Sequence, residues 1–186
     1  FPGAFGSDSE SLAISNTAAV GRYSRDFGEA SYVGALVTAR KADDYHNYVG
    51  GLDALWKIRY QPSLRAQYLR SDTRYPADVA VEFDQPLDAF TGTAAQLNYD
   101  YDSRDWFGYA RYENRDAGFR ADSGFVTRVN YHQETIGLGR VWHGDDDDWW
   151  TRFRVNGAYD ITHDDEGRAL AKENEASMRI NGPLQW

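Results

Sequence analysis

The most concentrated set of chemically useful side chains is the acidic run Asp145, Asp146, Asp147 and Asp148. Clustered carboxylates supply the oxygen ligands that Ca²⁺ prefers, but calcium loops space those ligands at alternate positions around a glycine turn. This run has no such spacing. It therefore favours a solvated loop, and the alternative is a bound divalent cation that bridges to phosphate groups.

The four histidines, His46, His132, His143 and His163, show no pair with metal-ligand spacing such as His-x-x-x-His. A serine hydrolase would place a serine beside a histidine, yet Ser123 and His132 lie nine residues apart and would point to opposite faces of one strand. No Gly-x-Ser-x-Gly elbow is present, and no carboxylate pair stands out for glycoside hydrolysis. The sequence predicts no catalytic residue, metal or cofactor.

Apolar and polar side chains alternate over four stretches of the chain, 52–60, 95–102, 125–132 and 149–160. A period of two predicts β-strands. In a soluble sandwich the apolar face points to the protein core, whereas in a membrane barrel it points to lipid and the polar face lines a wet lumen. Convergence of Trp56, Leu97 and Phe153 in a dry protein interior would contradict the barrel.

Composition narrows the class of protein. The chain has 186 residues, enough for one domain, with 26% charged residues, a mean hydropathy of -0.70 and no run long enough for a membrane-spanning helix. Its net charge of -9 makes a nucleic-acid partner improbable, and the absence of cysteine excludes disulfides and thiolate chemistry. Aromatic residues reach 15%, which suits a membrane interface or a carbohydrate-binding surface.

The periodicity predicts about ten strands and no helix. We expect them near 12–23, 31–41, 47–60, 63–72, 92–102, 105–115, 123–132, 135–143, 148–161 and 171–181. Tight links at 61–62, 102–104 and 132–134 fall at one end of these strands, and longer links at 41–47, 72–91, 115–122 and 143–148 fall at the other. Such sorting is typical of outer-membrane barrels, although the links at 24–29 and 162–168 are longer than it requires.

Charged and amide side chains share the polar face of the expected strands, and inside a barrel they would line the lumen. They are Asp53, Lys57, Arg59, Gln67, Asn98, Asp100, Arg111, Glu113, Arg128, Asn130, Arg152 and Arg154. Tyrosines and tryptophans fall mostly toward strand ends on the apolar face, as interfacial girdles do. They are Trp56, Tyr60, Tyr68, Tyr101, Trp106, Tyr112, Tyr131, Trp142, Trp149 and Tyr159.

Four motifs resemble a group of bacterial outer-membrane proteins with a carbohydrate-binding family 9-like domain ahead of a membrane barrel of unknown function. They are GALVTAR at 34–40, GGLD at 50–53, QYLRSDT at 67–73 and FRADSGFV at 119–126, the last being the most specific. The resemblance covers roughly residues 20–182. It implies that the chain is a fragment without the N-terminal domain and some closing strands, and it brings no catalytic residues.

These observations together predict an all-β protein, an antiparallel up-and-down transmembrane β-barrel of about ten strands, either complete or part of a larger barrel. Residues 1–186 would form one domain, with a long extracellular loop at 73–91. We expect a channel, transport component or anchor in the bacterial outer membrane. Its partners would be lipid, lipopolysaccharide and other outer-membrane or periplasmic proteins, without nucleic acid. The alternative is a soluble carbohydrate-binding β-sandwich that uses exposed aromatics, and an enzyme ranks third.

Overall fold

The computed structural model describes residues 15–58, 62–124 and 126–182, together with the backbone of 2–3 and 6–7. Two short strands, β1 (Pro2–Gly3) and β2 (Gly6–Ser7), pair with each other. The main strands are β3 (Thr17–Phe27), β4 (Ser31–Lys41), β5 (His46–Lys57), β6 (Ser63–Arg74), β7 (Phe90–Asp102), β8 (Trp106–Arg115), β9 (Tyr131–His143), β10 (Arg152–His163) and β11 (Ala169–Asn181). One short helix, α1 (Ala77–Glu82), lies between β6 and β7.

The nine main strands form one antiparallel sheet in chain order from β3 to β11, so the predicted up-and-down topology is confirmed. The sheet is not closed into a barrel. Within the described ranges, β3 and β11 each pair with a single neighbour and form the two edges. The prediction of about ten strands closing on one another is therefore wrong for this structure.

The missing strand is the one predicted at 123–132. Residues 116–130 instead form a connection between β8 and β9, here called the inner loop, whose Phe125 lies outside the described residues. Asn130 has a positive φ of 60°, which is incompatible with an extended strand, and Val129 is buried in a tertiary cluster. The tight turn predicted at 132–134 lies inside β9.

Losing one strand moves the connections that follow it to the opposite ends of the sheet from those predicted. Links 28–30, 58–62, 103–105 and 144–151 meet at one end, the turn end, and links 42–45, 75–89, 116–130 and 164–168 meet at the other, the loop end. The acidic loop predicted at 143–148 thus lies opposite the other long loops. The predicted loop 73–91 is observed as a connection over 75–89 that contains α1.

The dry core is small and lies at the loop end. One buried cluster joins Val49 of β5 and Ala94 of β7 to Phe119 of the inner loop. A second joins Tyr45, Tyr75 and α1, whose Ala80 is fully buried. The prediction of no helix is therefore wrong, because α1 forms within this cluster. In the part of the chain that is described, no helix is long and apolar enough to cross a bilayer.

The register divides the side chains of the sheet into two faces. Asp53 of β5 lies opposite Gly34 of β4 and Gln67 of β6, and alternate residues on every strand share that side. We call this side the inner face because the inner loop packs against it, through contacts to residues such as Val49. Leu52 and its alternates form the outer face.

Candidate functional site

Nine of the residues predicted for the polar face lie together on the inner face of the strands. They are Asp53, Lys57, Gln67, Asn98, Asp100, Arg111, Glu113, Arg152 and Arg154. Arg128 and Asn130 lie in the inner loop rather than on a strand. Arg59 lies outside the described residues.

Charges of opposite sign are paired across the inner face. Arg22 of β3 donates to Asp53 of β5 over 2.7 Å, reaching across β4. Arg111 of β8 donates to Asp100 of β7, also over 2.7 Å. Both arginines and Asp100 keep substantial exposure, so these pairs line a hydrated surface rather than a dry core.

A denser polar cluster surrounds Glu113 near the inner loop. Its carboxylate accepts from the Arg115 guanidinium at 2.7 Å and from the Tyr131 hydroxyl at 2.6 Å. Arg128 lies over the Tyr131 ring, 4.6 Å from its centroid. Tyr131 is only 5% exposed on the inner face. The expectation that it belongs to an outward girdle is therefore wrong, because β9 begins at Tyr131 and follows its own register with β8.

The inner loop is anchored to the sheet mainly through Asp122. Its carboxylate accepts hydrogen bonds from the hydroxyls of Tyr45, at 2.7 Å, and Tyr75, at 3.1 Å. Its main-chain carbonyl accepts from Arg40 of β4 at 2.7 Å, and its amide donates to the side chain of buried Asn47 at 2.9 Å. These bonds join the loop end of β4 and β5 to a segment about 75 residues away.

Burial shifts the pKa of three side chains around this anchor. Burial, together with the negative charge of Asp122, raises the pKa of both Tyr45 and Tyr75 far above the ordinary tyrosine value. Burial also lowers the pKa of Arg120, opposed by nearby Tyr75 and Asp122. The Arg120 guanidinium donates to the side chain of Gln85 at 2.7 Å, which links the inner loop to the α1 connection.

Two glycines allow the inner loop to touch the sheet backbone. A Cβ on Gly92 of β7 would collide with the main chain of Gly118 and Phe119, and a Cβ on Gly118 would collide with the carbonyl of Thr91. Any side chain at either position would therefore push the loop off the inner face.

A cavity of about 370 Å³ lies between the inner loop and the strands. Its walls are mostly apolar toward β4–β7 and polar toward β8. The lining includes Leu36, Val49, Leu69, Phe119, Val126, Gln67, Gln96, Glu113 and Arg115. The inner face therefore keeps open space even where the loop covers it.

The outer face carries most of the large apolar side chains that are exposed on the described strands. They are Tyr23, Phe27, Val33, Val37, Tyr48, Leu52, Trp56, Tyr68, Leu97, Tyr99, Tyr101, Trp106, Tyr112, Ile136, Leu138, Val155, Met178 and Ile180. Leu52 is 65% exposed, Trp56 52% and Leu97 44%. Trp56, Leu97 and Phe153 lie on the outer face of three different strands. They do not converge in a dry interior, because Trp56 and Leu97 are exposed there.

The polar border of this apolar band runs obliquely across the strands. On β6 the outward residue next to the band is Arg70, and on β9 it is Glu134. The register carries Glu134 through Tyr112 and Leu97 to Ala66, four residues from Arg70 and three strands away. At usual strand spacings this offset corresponds to strands tilted by roughly 40° to the band.

An aromatic border at the turn end drifts in the same direction. Trp56 of β5 shares a row with Tyr99, whereas the outermost aromatic of β7 is Tyr101, two residues nearer the turn end. Trp106 of β8 lies two residues nearer the turn end than the row of Tyr101, and Trp142 of β9 lies two residues nearer the turn end than the row of Trp106. The two borders therefore enclose a band of nearly constant height that crosses the strands obliquely.

The histidines are spread over the structure. His46 contacts Asp72 at 2.7 Å, the rings of His132 and His163 stack on the outer face with centroids 5.1 Å apart, and His143 lies within 3.1 Å of the Arg104 carbonyl. Within the described ranges, no three histidine or carboxylate side chains lie close enough together to hold a metal ion.

The other chemically suggestive residues also remain apart. Ser123 lies in the inner loop, whereas His132 points to the outer face of β9. In the acidic run, the amide of Asp145 donates to the carboxylate of Asp148 at 2.9 Å, and the run forms part of an exposed turn between β9 and β10.

Comparison with known proteins adds no relative. No family model matches the chain, and no curated protein or solved structure is significantly similar to it. The resemblance to outer-membrane proteins that carry a carbohydrate-binding domain stays a prediction.

Proposed function

We propose that the nine-stranded sheet forms part of the wall of a bacterial outer-membrane β-barrel. In this barrel the outer face contacts lipid and the inner face contacts water. The barrel acts as a channel, a transport component or a membrane anchor with a charged polar interior. The observation that carries this proposal is the opposite chemistry of the two faces, shown by Leu52 and Asp53, which are neighbours on β5.

The free energy of solvation favours this placement. Soluble monomers rarely expose contiguous apolar patches larger than a few hundred Å², and here an apolar band crosses all nine strands. Charged side chains on the lipid face of a barrel cost about 2–4 kcal/mol near the bilayer midplane. On the outer face, charges such as Arg70 and Glu134 lie at the border of the band, where that cost is small.

The oblique band supports a tilted, membrane-embedded sheet. Transmembrane strands tilt by about 35–45°, and both borders of the band give a similar angle. Arg140 lies in the aromatic border, with its guanidinium 5.0 Å from the Trp106 ring and 4.9 Å from the Trp142 ring. Arginine among aromatic side chains suits the interface between lipid and water.

The second candidate is a soluble carbohydrate-binding module, because exposed tyrosines and tryptophans also form sugar platforms. A sandwich requires a second sheet on the apolar side of the first, and the described residues form a single large sheet. This candidate predicts a protein that is soluble without detergent and whose tryptophan fluorescence responds to glycans.

A pair of adjacent label sites tests the proposal. The chain contains no cysteine, so Leu97→Cys on the outer face and Gln96→Cys on the inner face each accept a single environment-sensitive fluorophore at matched depth. In liposomes, the label at 97 should be quenched by nitroxide lipids and the label at 96 by aqueous iodide. Equal quenching of both labels by iodide, in a protein that needs no detergent, would contradict membrane embedding.

Conductance then distinguishes the roles within this class. An open lumen should give discrete steps in planar bilayers, whereas an anchor should insert without conducting. The inner loop narrows the loop end of the sheet, so we expect small steps if the protein conducts.

A further inference from the structure

The two edges of the sheet run in the same direction. Because nine strands alternate in direction, the first, β3, and the last, β11, are parallel to each other. Closing the sheet on itself would join them in a parallel seam. Two copies with the same orientation in a membrane would meet in parallel seams as well, whichever edges they used. Bacterial single-chain barrels contain even numbers of antiparallel strands.

Both edges lack the cover that the central strands have. Every residue of β3 is exposed on both faces, and nearly every residue of β11 is exposed too. Each edge strand has a described neighbour on one side only. Unpaired main-chain amides and carbonyls are very costly in hydrocarbon, so both edges need partners in a membrane.

The inner face also requires a wider barrel than nine strands would enclose. The interior of an eight-stranded barrel is just filled by its own side chains, and a ninth strand widens it little. Here the inner face holds described residues of the inner loop, such as Phe119 and Val129, and a cavity of about 370 Å³. A wall of more than nine strands leaves room for both.

We infer that an odd number of further amphipathic strands of the same polypeptide lies between β11 and β3 and completes an even-numbered antiparallel barrel. This inference rests on the proposed membrane placement. A single polypeptide is the source because a second copy would bring two parallel seams, and bacterial outer-membrane barrels of this type close within one chain.

The inner face of β11 specifies the charge of its next neighbour. Arg179 lies directly opposite Arg154 of β10, and no described carboxylate forms an ion pair with either of them. Glu173 and Glu175 share the same face of β11 nearer the loop end. Like charges directly opposed destabilise a sheet. The strand beside β11 should therefore present a carboxylate near Arg179 and a basic side chain near the two glutamates.

Engineered cysteines test whether the edges meet, without background from native thiols. Ser24→Cys on β3 is combined in turn with Ser177→Cys and Ala171→Cys on β11, and a short bis-maleimide is added to the membrane-reconstituted chain. The control is Asn156→Cys with Ser177→Cys, since these residues oppose each other and their side chains are 2.9 Å apart. We expect the control to cross-link and the edge pairs to do so at least about tenfold less.

Three results would overturn the inference. An intramolecular edge cross-link at the yield of the control would show a self-closed parallel seam, and an intermolecular one would show a second copy. If the control pair failed to cross-link, the pairing of β10 with β11 on which the inference depends would be wrong. None of these results changes the quenching of labels at 96 and 97, so the membrane proposal is judged separately.

Hydrogen exchange provides a measurement that does not depend on register. In the reconstituted chain, alternate amides of β3 and β11 should exchange about 100-fold faster than those of β4 and β10. Protection of these amides in the present chain alone would contradict the inference.

Discussion

The outer and inner faces of the sheet carry alternate residues of the same strands, yet their side chains are satisfied in different ways. On the inner face, Asp53 is paired with Arg22, and Glu113 accepts from an arginine and a tyrosine. On the outer face, Leu52 is 65% exposed and packs into neither of the buried clusters that we describe. The chemistry of the inner face thus suits water, whereas the outer face suits lipid in the membrane placement that we propose.

Of the substitutions that test this difference, a charge introduced on the outer face should change stability the most. Leu97→Arg places a guanidinium in the apolar band, and we expect a loss of about 2–4 kcal/mol in the free energy of unfolding from lipid bilayers. Gln96→Arg, one residue away on the inner face, faces Glu113 and should change stability by less than about 1 kcal/mol. Equal effects of the two substitutions would show that both faces meet the same solvent.

The inner loop differs from the rest of the inner face, because it buries apolar residues such as Phe119 against the strands. Asp122→Ala leaves the buried hydroxyls of Tyr45 and Tyr75 without their acceptor, and we expect a loss of about 2–3 kcal/mol. Amides of the inner loop should exchange faster, while those of central strands stay protected. Ser123→Ala, at an exposed position of the same loop, is the matched control. An unchanged exchange rate in Asp122→Ala would rule out the anchor.

The same anchor predicts a pH dependence. Tyrosines titrate near pH 10 in the unfolded chain, and burial raises the pKa of Tyr45 and Tyr75 above that value in the folded chain. The unfolded state therefore loses protons first, and the stabilisation, complete below pH 10, decreases as the pH rises beyond it. Tyr45→Phe with Tyr75→Phe should lower stability by about 1–2 kcal/mol at neutral pH and flatten this decrease. Chemical unfolding between pH 8 and about 11.5 measures both effects; an unaltered slope would contradict them.

The sequence predicts those features of the fold that depend on neighbouring residues, and it misses those that depend on contacts between residues far apart in the chain. Alternation is a local property, so it predicted β4 at 31–41 and the shared face of residues such as Asp53 and Arg111. The inner loop depends on distant partners, such as Asn47 with Asp122 and Gly92 with Phe119. Its own alternation predicted a strand that those contacts prevent.

Dependence on distant contacts also explains why helix α1 and the anchoring role of Asp122 were not predicted. Helix α1 has six residues, too few for a visible apolar stripe, and its position depends on burial of Ala80 beside Tyr45 and Tyr75. Turn signals at Asp122-Ser123-Gly124 could have marked the inner loop, since such clusters favour turns over strands. Nothing local indicates that Asp122 would bind two tyrosines from other connections.

The smallest expected effect concerns the exposed ion pairs of the inner face. Arg111 and Asp100 are 2.7 Å apart, but both keep more than 40% exposure of their side chains. Water screens such a pair, so a double-mutant cycle with Arg111→Gln and Asp100→Asn should give a coupling free energy below about 1 kcal/mol that decreases with salt. If the coupling instead exceeded about 2 kcal/mol and resisted salt, the pair would lie in a low-dielectric environment. The inner face would then be dry, and the difference between the two faces would no longer be one of water against lipid.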